Sequence, residues 1–201
     1  MLKILSIALK LWIKSKCQTL EQLQIKLTGS TIDLLKGRLK GADLYAYKVV
    51  LMNMHINQAK LESGPLTIDI NLRNQEQKIN LTQPFKVKGQ LLLDEQGINQ
   101  TLLSQQWRWI GSSLSSKLLD TKNFECIKVC KDKIEIHALS ENLKTQLKGT
   151  YFILHSKGTL IFQAVDGSSQ AILPMDTSIK IKDTKTTDKN IILYIEAEVT
   201  P

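Results

Sequence analysis

The segment PFKVKGQLLLDEQGINQTLLSQQW, residues 84–107, changes its hydrophobic period halfway along. Up to Asp94, apolar and polar residues alternate, which is typical of a half-buried β-strand. After Asp94 the apolar residues recur every three or four positions, which is typical of an amphipathic helix. Asp94 is a favourable N-cap, and Glu95 suits the positive first turn of a helix. The pattern therefore predicts one strand that leads directly into one long helix over residues 94–118.

The apolar stripe of this predicted helix needs a surface to cover. It contains Leu103, Trp107, Ile110 and Leu114. We expect these side chains to face the concave side of a sheet, where they line a ligand groove or fill a dry core. Trp109 lies about 200° around the helix from Trp107, so both cannot share that face. The spacing predicts that Trp107 is on the buried side.

Strand signals dominate the rest of the sequence, with nine or ten alternating segments expected against two substantial helices. Helices do not alternate with strands, which excludes a parallel βαβ sheet. Strands with one apolar and one polar face suit an antiparallel sheet. The sequence predicts an α+β fold, a single domain over residues 1–201, in which a long, strongly curved antiparallel sheet wraps around the long helix. Between residues 42 and 61 the alternation slips by one position, which predicts a β-bulge in an extended strand.

The N-terminal segment MLKILSIALKLWIKSKC, residues 1–17, predicts an amphipathic helix with an unusually wide apolar face. An ordinary surface helix is apolar over little more than a third of its circumference, and this one over more than half. It is therefore either enclosed by protein or dipped into a membrane surface with its lysines toward the headgroups. The second hypothesis predicts these contact residues: Leu5, Leu9, Trp12, Ile13, Lys3, Lys10 and Lys14.

Lysines interrupt every apolar run of this segment. A transmembrane helix needs about 20 apolar residues, and a secretory signal needs an uninterrupted apolar core, so the sequence predicts neither. The chain has three cysteines, an odd number that suggests free thiols in a reducing compartment. We expect a cytoplasmic or peripheral membrane location.

The composition and motifs favour a binding module over an enzyme. The net charge is +8, but only three of the 27 basic residues are arginine, and the lysines are scattered singly along polar strand faces, so we expect no nucleic-acid partner. No nucleophile elbow, P-loop or zinc-protease motif is present, and no His or Cys spacing suits a metal. We expect no catalytic residue, no metal site and no cofactor.

Three stretches carry a resemblance to a known family: IALKLWIKSKCQTLEQLQIKLTGS, LLKGRLKGADLYAYKVVLMNMHINQAKLESGPLTIDI and PFKVKGQLLLDEQGINQTL. In the order of their signals, with Asn99 in the helix, they resemble the LmeA-like phospholipid-binding family, a family frequent in cyanobacteria. The resemblance implies a tubular lipid-binding (BPI-like) fold, with a curved sheet around a long helix and an apolar groove for acyl chains. It also implies association with anionic phospholipid, and it supplies no catalytic residues.

Two hypotheses for the function remain open at this point. The first is a phospholipid-binding or lipid-transfer module that acts at a membrane surface. The second is a structural or protein-interaction domain whose apolar faces form a dry core or a homodimer interface.

Overall fold

The computed structural model describes residues 2–70, 79–142 and 145–200, without the side chains of residues 2–4, 69, 70, 79 and 80. The alternating pattern of the sequence also predicts strand positions at Leu72 and Leu143, and these two residues lie outside the described ones. The helices within this part are α1 (Leu2–Lys16), α2 (Thr31–Leu35), α3 (Glu95–Leu103) and α4 (Arg108–Leu119). The strands within it are β1 (Thr19–Thr28), β2 (Arg38–Leu39), β3 (Gly41–Leu51), β4 (Met54–Ser63), β5 (Leu66–Ile70), β6 (Ile79–Leu81), β7 (Phe85–Asp94), β8 (Asn123–Cys130), β9 (Lys133–Leu139), β10 (Gln146–Ser156), β11 (Thr159–Ala164), β12 (Gln170–Ile172), β13 (Ile179–Thr187) and β14 (Asn190–Val199).

The strands form three antiparallel sheets, which confirms the predicted α+β class. The largest sheet has the order β1-β3-β4-β7-β14-β13, the second β12-β11-β10-β9-β8, and the smallest β2-β5-β6. Strand β7 is the strand predicted from residues 84–94, and it lies between β4 and β14 in the largest sheet. Its alternation exposes Lys86 and Lys88 on one face and leaves Val87 and Leu91 half-buried on the other.

The main apolar core lies between the five-stranded sheet, the β13–β14 side of the largest sheet and the helices α3 and α4. Its members come from all of these elements, including Leu102, Leu118, Ile134, Phe162 and Leu193. Residues Ile134 and Ile136 of β9 are fully buried. A continuous core of this kind supplies most of the free energy that stabilises such a fold, because burial of apolar surface is its dominant favourable term.

The long helix predicted over residues 94–118 is wrong as a single element, because it is interrupted between α3 and α4. Asp94 is the N-cap, as expected, and its side chain accepts a hydrogen bond from the Gly97 N–H at 2.7 Å. The interruption begins at Ser104, whose backbone is extended (φ −66°, ψ 151°). The Ser104 hydroxyl donates to the Thr101 carbonyl at 2.7 Å, and serine hydroxyls that bond to nearby backbone groups compete with helical bonds.

The bulge predicted between residues 42 and 61 is also wrong, because the chain makes a hairpin there. Leu51 of β3 pairs with Met54 of β4 across a two-residue turn. Both turn residues have left-handed backbones, with φ 50° at Met52 and 58° at Asn53. Positive φ at both central positions is the geometry of a tight hairpin turn, which usually takes Asn-Gly. The slip in the sequence pattern falls after Ile56, within β4, where the pairing with β3 and β7 keeps a single register without a bulge.

Candidate functional site

One side of α1 packs against the protein. Leu5 is only 5% exposed and Leu9 is half-buried, and both belong to a small cluster with Leu34 and Leu39. Ile13 is half-buried against a second cluster, over β1 and β3. Three of the apolar residues predicted to contact a membrane therefore contact the protein's own sheets instead. The hypothesis of enclosure describes this side of the helix.

The Ser6 hydroxyl adds a hydrogen bond to the protein on the same side of α1. It donates to the Ile25 carbonyl of β1 at 3.1 Å. Because β1 is an edge strand of the largest sheet, α1 is held along that edge by both apolar packing and a hydrogen bond. The position of α1 is thus fixed by the fold, and its outward face is fixed with it.

The outward face of α1 remains apolar. Ile7 is 58% exposed, Leu11 64% and Trp12 48%. Lys14 is exposed and Lys10 is half-buried, while the side chain of Lys3 lies outside the described residues. Residues four apart on a helix are neighbours, so Ile7 and Leu11 form one short row and Lys10 and Lys14 form a parallel row beside it. An apolar row next to a row of lysines is typical of a helix that lies in a membrane interface.

Ile7 and Leu11 are not among the contact residues predicted from the sequence. The helical wheel shows an apolar face that is too wide, but it does not show which part of that face the sheets will cover. Covering of Leu5, Leu9 and Ile13 leaves Ile7 and Leu11 outside, and only the packing reveals this.

A second apolar surface lies on one face of the largest sheet. The charged side chains that alternate with its residues along the same strands point to the opposite face. The register pairs Leu44 with Leu61, Leu61 with Gly89, and Gly89 with Ile195. All of these are half-buried, and so are their neighbours on the same face, Val87 and Ala197. We call this row the sheet strip; its residues are Leu44, Leu61, Val87, Gly89, Ile195 and Ala197. Leu44 and Leu61 pack against the cluster over β1 and β3, and Ile195 packs against the main core, so the strip joins these two apolar regions.

The predicted groove-lining residues of the interrupted helix lie in different environments. Leu114 is 3% exposed and belongs to the main core, and Ile110 packs against the same cluster. Leu103 is 51% exposed and lies outside that cluster. Trp107 is half-buried, and its indole Nε1–H donates to the Met52 carbonyl at 2.7 Å. The structure brings Ile110 and Leu114 together but places Leu103 and Trp107 elsewhere.

Two surface clefts of about 280 and 270 Å³ are small compared with ordinary ligand pockets of roughly 300–1,000 Å³. The first is lined by α2, β2 and β5 residues such as Asp33, Arg38 and Leu66. The second lies where α3 meets β1, β3 and β4, and includes His55 and Gln100. Neither cleft includes the sheet strip. The apolar surfaces, rather than these clefts, are the candidate contact sites.

Two surface ion pairs of the described ranges shift the pKa values of their members. Glu21 accepts from Lys48 at 3.1 Å and raises the pKa of that lysine, while Lys182 at 2.6 Å lowers the pKa of Glu196. Burial raises the pKa of the Cys17 thiol, which weakens it as a nucleophile. Within the same ranges, no three His, Cys, Asp or Glu residues gather to hold a metal ion.

No helix within the described residues has the length and hydrophobicity to span a bilayer.

The comparisons with known proteins give one match. No curated protein and no solved structure matches the chain. The family model described as LmeA-like phospholipid-binding matches residues 2–188, which is most of the chain. The resemblance expected from the sequence is thereby confirmed, and the chain belongs to the LmeA-like phospholipid-binding family.

Proposed function

We propose that this protein is a non-enzymatic module that binds anionic phospholipid at a membrane surface. The observation that carries the proposal is the outward face of α1. Ile7 and Leu11 are well exposed there, beside Lys10 and Lys14, on a helix already anchored to the sheet by its other side. A rigidly held apolar row does not have to be ordered when it enters a bilayer, so it loses little conformational entropy on contact.

Two kinds of interaction would hold α1 at the bilayer. Ile7, Leu11 and Trp12 would leave water, at roughly 25 cal/mol per Å² of apolar surface. Lys10 and Lys14, together with the predicted contact Lys3, would be attracted to anionic headgroups at about 1 kcal/mol each near the surface.

The sheet strip is the proposed place for an acyl chain. It is apolar and only half-buried, and its row includes the small residues Gly89 and Ala197. At Gly89 a Cβ atom would meet the Lys60 carbonyl of β4, so no side chain projects from the strip there. In this proposal the acyl chain lies on the largest sheet, and the protein chain forms a single domain of the tubular lipid-binding type. Such an arrangement would allow lipid transfer. Native mass spectrometry of protein purified from cells tests it, because a bound species of phospholipid mass is the expected result. A mass of the bare chain alone would argue for a dry interior.

Vesicle flotation tests the membrane contact. We expect the protein to float with vesicles that contain phosphatidylglycerol, and not with phosphatidylcholine alone. The double variant Ile7→Ser/Leu11→Ser should bind at least about tenfold more weakly. Val165→Ser/Ile172→Ser is the matched control, because these residues are 51% and 50% exposed outside α1. Equal binding by both variants would refute the role of the α1 face.

A structural or protein-interaction domain is the second candidate. It is favoured by the packing of Leu5, Leu9 and Ile13, which shows that much of the wide apolar face serves the protein's own core. In that case Ile7 and Leu11 would meet a second copy of the chain. Light scattering after size-exclusion chromatography separates the candidates, since a dimer that the Ile7→Ser/Leu11→Ser variant dissociates would support the interface.

A further inference from the structure

Three segments meet at the β3–β4 turn, at one end of the largest sheet. The Trp107 indole donates to the Met52 carbonyl at 2.7 Å. Gln18, just after α1, donates from Nε2 to Asn53 Oδ1 at 2.9 Å and accepts from the Asn53 N–H at 2.8 Å. The end of α1, the turn and the interruption between α3 and α4 are therefore neighbours in space. We call this region the hairpin corner; it comprises residues 16–18, 51–53 and 103–109.

Large apolar side chains protrude from the hairpin corner. Met52 is 60% exposed, Leu103 51%, Trp109 49% and Leu51 39%. Leu51 and Met52 come from the end of β3 and its turn, and Leu103 and Trp109 from either side of the α3–α4 interruption; the Trp107–Met52 hydrogen bond joins these two parts of the chain. Apolar residues exposed singly are ordinary, but a group of them at one corner marks a contact site.

The backbone of the turn does not account for Met52. Its φ of 50° is in the left-handed region, where a tight hairpin turn usually takes Asn or Gly. An exposed methionine there improves neither the turn geometry nor the core. Its side chain therefore points to a role at the surface.

The charged side chains of the corner are both positive. Its three segments contain Lys16 and Arg108 and no Asp or Glu. Both cations are exposed, and Arg108 lies between Trp107 and Trp109 in the chain. Tryptophan is enriched at membrane–water interfaces, and basic side chains are attracted to anionic headgroups. The third tryptophan, Trp12, is 48% exposed one helical turn before the end of α1, so no tryptophan of the chain is fully buried.

We propose that the hairpin corner is a second membrane-contact site, and that its partner is an anionic phospholipid bilayer. Met52 and Trp109 enter the interface, and Lys16 and Arg108 contact lipid phosphates. This inference rests on the proposed function, to which it adds a second contact and therefore a defined orientation of the sheet on the membrane. The pairing of Gln18 with Asn53 couples the corner to the end of α1, and the proposal requires that both contacts meet the bilayer together.

The test uses the full chain and the double variant Met52→Asn/Trp109→Ser. Asparagine suits the left-handed turn, so the first change removes the apolar side chain without disturbing the hairpin. Leu154→Ser/Ile172→Ser is the matched control, with residues 43% and 50% exposed on the five-stranded sheet. Urea unfolding checks that each variant is folded. We expect the corner variant to bind phosphatidylglycerol vesicles about tenfold more weakly and the control to bind like the wild type.

Fluorescence supplies a second measurement. Brominated phosphatidylcholine, mixed into the same vesicles, should quench the wild-type tryptophan emission, and Trp109→Phe should remove a large part of the quenched signal. If the wild type binds and Ile7→Ser/Leu11→Ser weakens it, but the corner variant binds normally, the corner proposal fails and the proposed function stands. If the folded wild type ignores anionic vesicles, both fail. A dimer that the corner variant dissociates would overturn the membrane assignment.

Discussion

At the scale of single residues, burial separates side chains that the helical period treats as equivalent. Leu103 and Leu114 belong to the same predicted apolar stripe, yet Leu103 is 51% exposed and Leu114 only 3%. The interruption at Ser104 accounts for the difference, because it ends the helical phase before Leu114 is reached. The two leucines therefore contribute differently to stability.

Replacement of these leucines by alanine should show the difference. Leu114→Ala should lower the free energy of unfolding by about 2–5 kcal/mol, since it leaves a cavity in the main core. Leu103→Ala should change it by no more than about 0.5 kcal/mol, as expected at an exposed position. Urea denaturation of both variants measures this, and equal losses would place Leu103 in the core.

The two neighbouring tryptophans give a second contrast. Trp107→Phe removes the hydrogen bond to the Met52 carbonyl and should lower the free energy of unfolding by about 0.5–1.5 kcal/mol. Trp109→Phe loses no such bond among those the structure describes, and its ring is 49% exposed, so it should be nearly neutral. Thermal unfolding followed by circular dichroism compares them. A larger loss for Trp109→Phe would contradict this assignment of the buried side.

At the scale of elements, side chains of α3 complete the edge of the five-stranded sheet. β8 is the edge strand, and such edges carry backbone groups that lack a neighbouring strand. Asn99 donates from Nδ2 to the Ile127 carbonyl at 2.8 Å and accepts from the Ile127 N–H at 2.7 Å. Glu95 accepts from the Val129 N–H at 2.7 Å. The two side chains thus take the place of a neighbouring strand and fix α3 on the sheet.

Asn99→Ala should therefore loosen α3 from β8. The lost hydrogen bonds leave backbone groups of Ile127 unpaired, at a cost of about 1–3 kcal/mol in unfolding free energy. Hydrogen exchange at the Ile127 amide should become faster. Gln100→Ala, at an exposed position of the same helix, is the control and should leave this exchange rate unchanged. If the Ile127 amide exchanges at the wild-type rate in Asn99→Ala, apolar packing alone holds α3 on the sheet.

Helix α1 is the other element whose removal is informative. Deletion of residues 2–14 takes away Leu5, Leu9 and Ile13 and uncovers two apolar clusters. We expect this variant to be strongly destabilised or insoluble, and to bind hydrophobic dyes. A deletion variant that unfolds at the wild-type urea concentration would show instead that α1 contributes little to the core.

At the scale of the whole molecule, the net charge of +8 favours approach to any anionic surface. Several lysines are neutralised locally, as Lys48 is by Glu21 and Lys182 by Glu196. The α1 face and the hairpin corner keep their cations beside exposed apolar side chains. Electrostatic attraction to an anionic surface and apolar contact with it would therefore act at the same two sites, the α1 face and the hairpin corner.

Salt should separate the two contributions to vesicle binding. Exposed charges are screened over about 8 Å at physiological ionic strength, whereas apolar contact is nearly unaffected. Binding to phosphatidylglycerol vesicles should therefore fall with added salt. The variant Lys14→Gln/Lys16→Gln should show weaker binding at low salt and a smaller dependence on salt. Binding that does not change with salt would mean that the lysines do not contact the headgroups.

Much of the architecture follows from local pattern. Alternation from Phe85 to Leu93 and the Asp94 cap determined β7 and the start of α3, because a strand and a helix cap depend on neighbours in sequence. The family resemblance was likewise carried by local segments. The Met52–Asn53 turn was missed because Met52 is an unusual residue at a left-handed position.

Only the tertiary structure decided what each apolar face covers. The sequence shows that α1 is apolar over more than half of its surface, but it gives no reason why Leu5 should be buried while Ile7, two residues on, is 58% exposed. The place of Trp107 is likewise set by a distant contact, since its indole meets the Met52 carbonyl from 55 residues away. Hydrophobicity and period are local properties, whereas burial is the outcome of competition among all apolar faces for a limited interior.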